Sequence, residues 1–226
     1  PMAKVPIVQK QVVQRASELG KLSLIATQML YSMTTSPTPT RAEVSDVCNA
    51  VLDGCDAILL SDETAVGNYP VEAVRVADTA IHEAEQIYYH YKDLMSYDRT
   101  QALASAAASL VQYLESQPIV VTSTGRAAFE VSRFRPNSNI LVLSHDEAIL
   151  RRVCLGWGLI PVGVIPPEKD APHLVSLIIK AALASGLVTD DAVVIIIHGY
   201  LPGVSGTTNT LQVLDLKEYL SYSAIT

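Results

Sequence analysis

Leu24-Ile25-Ala26-Thr27-Gln28 sets a hydroxyl directly after a short apolar run. Ligands of α/β folds bind at the carboxyl ends of strands, so Thr27 is a candidate for substrate contact. Its other reading is the cap of the following helical turn. Ser61-Asp62-Glu63-Thr64 closes a second apolar run. Adjacent carboxylates can ligate Mg²⁺, accept a proton or bind an amine. They can equally complement the dipole of a helix's first turn. Thr122-Ser123-Thr124-Gly125-Arg126 follows a third run and precedes a helical pattern. Hydroxyls, a glycine and free helix N–H groups form a phosphate cradle, and Arg126 adds charge. The GxxxxGK[ST] spacing is absent, so this is no P-loop, and a plain strand–helix turn is the alternative. The Gly199–Thr208 stretch holds Gly203, Ser205, Gly206 and Thr207. It is expected either to close over that cradle or merely to connect to a last strand. His82 and His90 are expected on a solvated helix face, His145 in a turn or cap, and His198 just after a strand.

The elements that position these residues alternate along the chain. Val5, Val8, Val12, Val13 and Ala16 predict an amphipathic helix over 5–19, ending at Gly20. Residues 22–26 and 57–60 are expected to be buried strands. Thr40-Arg41-Ala42-Glu43 is a capping box that should start a helix running to Leu52. Pro70 suits the first turn of a helix whose face carries Val71, Val74, Ala77, Ile81, Ala84, Ile87 and Tyr91. After a break near 96–100, helices are predicted over 101–115, 125–134, 146–155 and 172–185. Strands are predicted over 118–122, 140–143, 161–164, 192–197 and 210–214. Five short strands interleaved with helices imply an open, doubly wound sheet.

Composition narrows the function. Of 226 residues, 49% are hydrophobic and 17% charged, ample for a core and too apolar for disorder. The formal charge of −7 gives no basic field, so neither nucleic acid nor an anionic membrane is an expected partner. Residues 1–95 hold 7 basic and 12 acidic side chains, residues 96–226 hold 9 and 11. The arginines of the second part (Arg126, Arg133, Arg135, Arg151 and Arg152) make it the expected phosphate reader. Cys48, Cys55 and Cys154 form no CxxC pair, which argues for a reducing, cytoplasmic setting. No apolar run reaches the roughly 18–20 residues of a membrane span. The opening Pro-Met-Ala-Lys reads like the interior of a longer chain.

Ala26–Met33, Pro39–Asp46, Asn49–Gly54, Leu60–Ala65 and Tyr69–Ala73 together resemble the pyruvate kinase family. Thr124-Gly125-Arg126, Ser132–Pro136 and Gly203–Asn209 extend the resemblance to almost the whole chain. It implies the end of a (β/α)₈ barrel over 1–95 (helix six to helix eight). An open, mostly parallel, doubly wound α/β regulatory domain over 96–226 should follow. It implies phosphoryl transfer from phosphoenolpyruvate to ADP, giving pyruvate and ATP in glycolysis, with Mg²⁺ (or Mn²⁺) and K⁺ as cofactors. Thr27 matches the family's threonine beside the enolpyruvate, implicated in proton delivery, and Ser61 a serine that orders water there. Arg41 and Glu43 sit in the motif after strand seven, near the substrate and a subunit contact, and Asp62 and Glu63 lie in the nucleotide vicinity. Thr122 to Arg126, with Gly203, Ser205, Gly206 and Thr207, match the effector loops. A homotetramer is the expected assembly.

The sequence departs from the family pattern in places. Val66 stands where a lysine linked to nucleotide binding is usual, and Asp62 adds negative charge beside it. Ala127 replaces a hydroxyl of the effector loop. No Trp–Arg pair occurs between Pro166 and Lys180, which weighs against fructose 1,6-bisphosphate and leaves another phosphorylated sugar as the effector candidate. The family's metal ligands, catalytic lysine and K⁺ site are expected N-terminal to this chain, so no metal site is expected within it. The chain alone should then be inactive. The competing expectation is a non-catalytic sugar-phosphate-binding or assembly module derived from pyruvate kinase.

Overall fold

The computed structural model describes residues 1–199 and 207–223. It divides into two compact units, Pro1–Tyr89 and His90–Thr226. The sequence places the break a few residues later, near 96. Tyr91 and Lys92 already belong to the second unit, because their amides donate to Arg135 O and Phe134 O at 2.7 and 2.8 Å.

In the first unit, helix α1 (Val5–Glu18) leads to strand β1 (Leu24–Ala26). Helix α2 (Arg41–Asp53), strand β2 (Ala57–Leu59), a one-turn helix α3 (Asp62–Ala65) and helix α4 (Pro70–Glu85) follow. The Thr40 capping box forms as predicted, and Gly54, in the left-handed region at φ 87°, ends α2. The buried core joins Val13, Met29, Leu30, Met33 and Val47 to the alanine face of α4. β1 and β2 pair in parallel, Ile25 opposite Ile58.

Three expectations need correction here. The two strands are not buried: Leu24 is 44% and Leu59 42% exposed, because only two strands make this sheet. α1 buries Val13 and Ser17 while Val5, Val8 and Val12 face out. α4 stops at Glu85 and packs through Ala73, Ala77, Ala80 and Ala84, with Val71 and Val74 exposed. Small residues let a helix approach its neighbour closely, and this outranks the bulk of the valines. His90 therefore lies beyond the helix and is half-buried, not on a solvated helix face.

The second unit is a five-stranded sheet of order β5-β4-β3-β6-β7, with β3 (Gln117–Val121), β4 (Ile140–Ser144), β5 (Leu159–Val164), β6 (Val193–Gly199) and β7 (Thr208–Asp215). All neighbours are parallel except β6 and β7. Pro161 is tolerated because β5 is an edge strand. Helices α5 (Arg99–Leu114), α6 (Arg126–Arg133) and α7 (Glu147–Val153) contribute to one core. Helix α8 (Ala171–Ala184) and α9 (Leu216–Ser223), the latter not anticipated, contribute to the other. Helices on both faces make the fold doubly wound, as the sequence implies. No described helix is long and apolar enough to cross a membrane.

Candidate functional site

Parallel pairing of β1 with β2, Ala26 opposite Leu59, brings the turns after them to the same end of the sheet: Thr27 follows Ala26 directly, and Ser61 lies two residues past Leu59. Thr27 and Gln28 both have positive φ, 74° and 56°. Two successive non-glycine residues in the left-handed region cost about 1–3 kcal/mol each and persist only where surroundings enforce them. The chain just beyond them is anchored by Glu63. Its carboxylate, only 1% exposed, accepts from Leu30 N at 3.1 Å and Ser61 N at 2.8 Å. One side chain thus clamps the turn after β1 to the turn after β2. Burial alone would push this carboxyl up. The N–H groups of Glu63 itself, Leu30 and Ser61 outweigh burial and the nearby Glu43 charge, and hold it below the usual glutamate range.

Glu43 does the same one shell further out. Ser32 N and Oγ donate to it at 2.7 and 2.5 Å, and Thr40 N and Oγ1 both at 2.8 Å. Burial again opposes, yet the Ser32 and Thr40 donors keep its carboxyl below the usual range. Gly67 completes the turn. A Cβ there would stand 2.6 Å from Glu63 O, so no side chain fits.

What remains accessible is two hydroxyls, one carboxylate and one cation. Thr27 is exposed, and its hydroxyl caps nothing: the following 3₁₀ turn has Leu30 at its N-cap and no side-chain cap bond. Ser61 is half-buried, with its own hydroxyl unbonded while its carbonyl accepts from Thr64 and Ala65 N. Asp62 and Arg41 are exposed, and Arg41 has no ion pair among the described residues. Val66 is 77% exposed. Glu43 and Glu63 are therefore internal supports, and Thr27, Ser61, Asp62 and Arg41 are the groups a ligand could reach. The dipeptide Asp62-Glu63 does not fit a divalent cation, because Glu63 turns inward and leaves Asp62 alone. Among the described residues no three His, Cys, Asp or Glu side chains are placed to hold a metal ion.

In the second unit, α6 and α7, which lead from β3 to β4 and from β4 to β5, pack on one face, and α8, which leads from β5 back to β6, packs on the other, so the strand order reverses between β3 and β6. A ligand crevice is expected at their carboxyl ends, and Thr122 to Arg126 stands there. Thr122, 5% exposed, accepts from Gly125 N at 3.0 Å, and Gly125 opens α6 with φ 83°. Ser123 and Thr124 are more open. The Arg126 guanidinium is already paired with Asp98, and its Nε lies 3.8 Å from Glu130. Asp98 caps α5 through Gln101 N, and this bond, with Arg126 adding to it against the effect of burial, holds its carboxyl low. Thr207 lies against Gly199, whose Cβ would be 2.7 Å from Thr207 Oγ1. Gly203, Ser205 and Gly206 lie outside the described residues.

The arginine cluster requires a correction. Arg133 is buried, donating to Glu130 at 3.2 Å and Met95 O at 2.7 Å. Arg135 is 1% exposed, donates to Ser132 O and stacks over Trp157 at 5.0 Å. Both are structural, because the apolar faces of their turns draw the aliphatic stems inward. The Glu63 clamp and the Asp98–Arg126 pair escape sequence reading. The only signal for the first is that Glu63 lies one residue, a 100° helical step, from Asp62.

Comparison with known proteins agrees with this architecture. The family described as "Pyruvate kinase, barrel domain" matches residues 1–74, and "Pyruvate kinase, alpha/beta domain" matches residues 101–214. A pyruvate kinase of Geobacillus stearothermophilus is 36% identical over 98% of this chain and 39% of its own length. That of Lactococcus lactis is 37% identical over 96% of this chain and 44% of its own. Human pyruvate kinase PKLR is 39% identical over 96% of this chain and 40% of its own. The chain thus spans about two-fifths of the length of these relatives.

Proposed function

We propose, from the premise that the chain belongs to the pyruvate kinase family, that it supplies part of the active site for phosphoryl transfer from phosphoenolpyruvate to ADP. On this reading residues 1–95 are the end of the catalytic barrel, helix six to helix eight, and 96–226 the regulatory domain. The carrying observation is the pair of unbonded hydroxyls, Thr27 and Ser61, presented at adjacent parallel strand ends and held there by buried Glu63. Thr27 would deliver the proton to the enolate carbon, and Ser61 would order water beside it. Arg41 and Asp62 are the remaining reachable charges near the substrates. Mg²⁺ or Mn²⁺ and K⁺ would neutralise the phosphoryl oxygens from ligands outside this chain. A cytoplasmic homotetramer is the proposed assembly.

The test is turnover. The 226-residue chain alone is expected to form no ATP from phosphoenolpyruvate and ADP. Measurable phosphoenolpyruvate-dependent ATP formation by the chain alone would overturn its proposed status as a partial site. The switch-point cradle of the second unit favours a second reading, a sugar-phosphate-binding module that regulates or assembles without catalysis. Thr27 and Ser61 favour the first reading, since a pure binding module has no use for presented barrel hydroxyls.

A further inference from the structure

Residues 91–98, the stretch that opens the second unit, form a strap along α6. Its anchors succeed one another from the carboxyl end of that helix to its amino end. Tyr91 N and Lys92 N donate to Arg135 O and Phe134 O at 2.7 and 2.8 Å. Arg133 donates to Met95 O at 2.7 Å. Gln101 accepts from Tyr97 N at 2.8 Å and donates to Glu130 at 3.2 Å. Asp98 pairs with Arg126. The first anchor is the firmest. Tyr91 and Leu94 pack against the core, and Tyr91 and Arg135 both hold left-handed backbones, φ 65° and 52°, which persist only where surroundings enforce them. The last is the weakest. Residues 95–99 are exposed, and an ion pair between side chains 48% and 41% exposed is screened by water.

Arg126 therefore has two roles. It is the cation of the loop after β3, and it holds the loose end of the strap. Asp98 divides its carboxylate between them: Oδ1 accepts from Gln101 N at 2.9 Å, and Oδ2 faces Arg126. The Gln101 N–H, with Arg126 adding to it against burial, holds this carboxyl low, so it is an anion at neutral pH. Glu130 lies 3.8 Å from Arg126 Nε but is committed to Arg133 at 3.2 Å, with only 10% of its side chain exposed. A phosphoryl group beside Arg126 claims the same guanidinium N–H groups as Asp98. It brings three acceptor oxygens and up to two negative charges against the one oxygen that Asp98 offers. Asp98 is exposed and Glu130 is not, so Asp98 is the carboxylate that yields.

We propose that residues 91–98 are an autoinhibitory strap: Asp98 occupies Arg126 while the cradle is empty, and a phosphoryl group taken up by Arg126 displaces Asp98 and releases the strap at its 95–98 end, the Tyr91 end staying fixed. The inference rests on the reading of the Thr122 to Arg126 loop as a phosphate cradle, and adds to it an internal competitor and a segment that moves.

The probe is glucose 6-phosphate, titrated into the ¹⁵N-labelled full chain. Shifts of the Ser123 and Gly125 amides read occupancy of the cradle, and amide hydrogen exchange reads the strap. At saturation the Tyr97 amide should exchange about twofold to fivefold faster, the range for losing one exposed ion pair, while Tyr91 and Lys92 keep their protection. Asp98→Asn retains an oxygen to cap Gln101 and removes the charge. Without ligand it should speed Tyr97 exchange by the same factor, and it should tighten glucose 6-phosphate about twofold to fivefold. Added ligand should then change Tyr97 no further. Saturable shifts at Gly125 with unchanged exchange at Tyr97 overturn the strap and leave the phosphate reading standing. Absence of saturable shifts at Ser123 and Gly125 overturns both. Full acceleration of Tyr97 by the ligand in Asp98→Asn also overturns the strap, because release then does not run through the Asp98–Arg126 pair.

Discussion

Glu63→Ala tests the assignment of the buried carboxylate as the clamp of the first unit. The substitution removes the acceptor for two backbone donors, Leu30 N at 3.1 Å and Ser61 N at 2.8 Å. A charge-assisted hydrogen bond contributes about 1.5–3 kcal/mol, and a buried donor left unpaired costs about 1–3 kcal/mol. Because the freed turns can open to water, the lower end of each range applies, and the expected loss is about 2–4 kcal/mol. That is a large part of the roughly 5–15 kcal/mol that holds a domain folded. Asp62→Ala is the control. Asp62 is exposed and its side chain makes no hydrogen bond or ion pair among the described residues, so the change should stay within about 0.5 kcal/mol. The assay is amide hydrogen exchange, because Leu30 and Ser61 N–H report the clamp directly. Both should lose protection in Glu63→Ala and keep it in Asp62→Ala. The pH dependence has a definite sign. The folded-state carboxyl of Glu63 is lowered, so its stabilisation is fully present above the ordinary glutamate pKa near 4.3 and fades as pH falls through the folded value. Glu63→Ala should flatten that acid limb. Unchanged protection at Leu30 and Ser61, with an acid limb as steep as in the parent, would refute the clamp.

Two further outcomes follow from the second unit. Arg133→Met should destabilise it by about 1–3 kcal/mol, because Glu130 loses its 3.2 Å ion-pair partner and keeps only Gln101 Nε2 at 3.2 Å and Arg126 Nε at 3.8 Å; urea unfolding followed by Trp157 fluorescence reads this, and a midpoint unchanged from the parent would contradict the structural role given to Arg133. Arg126→Ala should lower the calorimetric affinity for a phosphorylated sugar about tenfold or more, and Asp98→Ala, which frees the guanidinium, should raise it; equal affinities of Arg126→Ala and parent for every phosphorylated sugar tried would remove the cradle.

Local chemistry made the backbone of this fold readable from sequence. Thr40 and Glu43 announce α2 because a capping box needs only neighbouring residues. Alternating apolar runs give the parallel strands of the second unit because both faces of that sheet are covered. Burial in the first unit was not readable. Val5, Val8, Val12, Val71 and Val74 form a regular apolar pattern, yet they are exposed, and alanines make the contacts of α4. Periodicity tells that a face is apolar, not what the unit offers to cover it. The arginines failed for a related reason. Arg133 and Arg135 sit beside Phe134 in a turn whose apolar neighbours pull the stems inward, and carbonyls or carboxylates meet the charges there.

The candidate site divides labour in a way residue types alone do not reveal. Four oxygen-bearing residues follow the two strands of the first unit, and residue type alone leaves the carboxylates of Asp62 and Glu63 open to ligand chemistry or to the helix dipole, and the hydroxyl of Thr27 open to substrate contact or to capping. The structure separates the two residue types. Glu63 spends both oxygens on backbone N–H groups, while Thr27 and Ser61 spend their hydroxyls on nothing. A carboxylate in place of Thr27 could satisfy nearby amides by itself and turn away from a ligand. A hydroxyl on a strained, left-handed residue lacks that option, provided another group fixes the backbone. The strain at Thr27 and Gln28, the burial of Glu63 and the exclusion of any side chain at Gly67 are thus one arrangement. Loosening any of the three is expected to release Thr27 from its place at the end of β1.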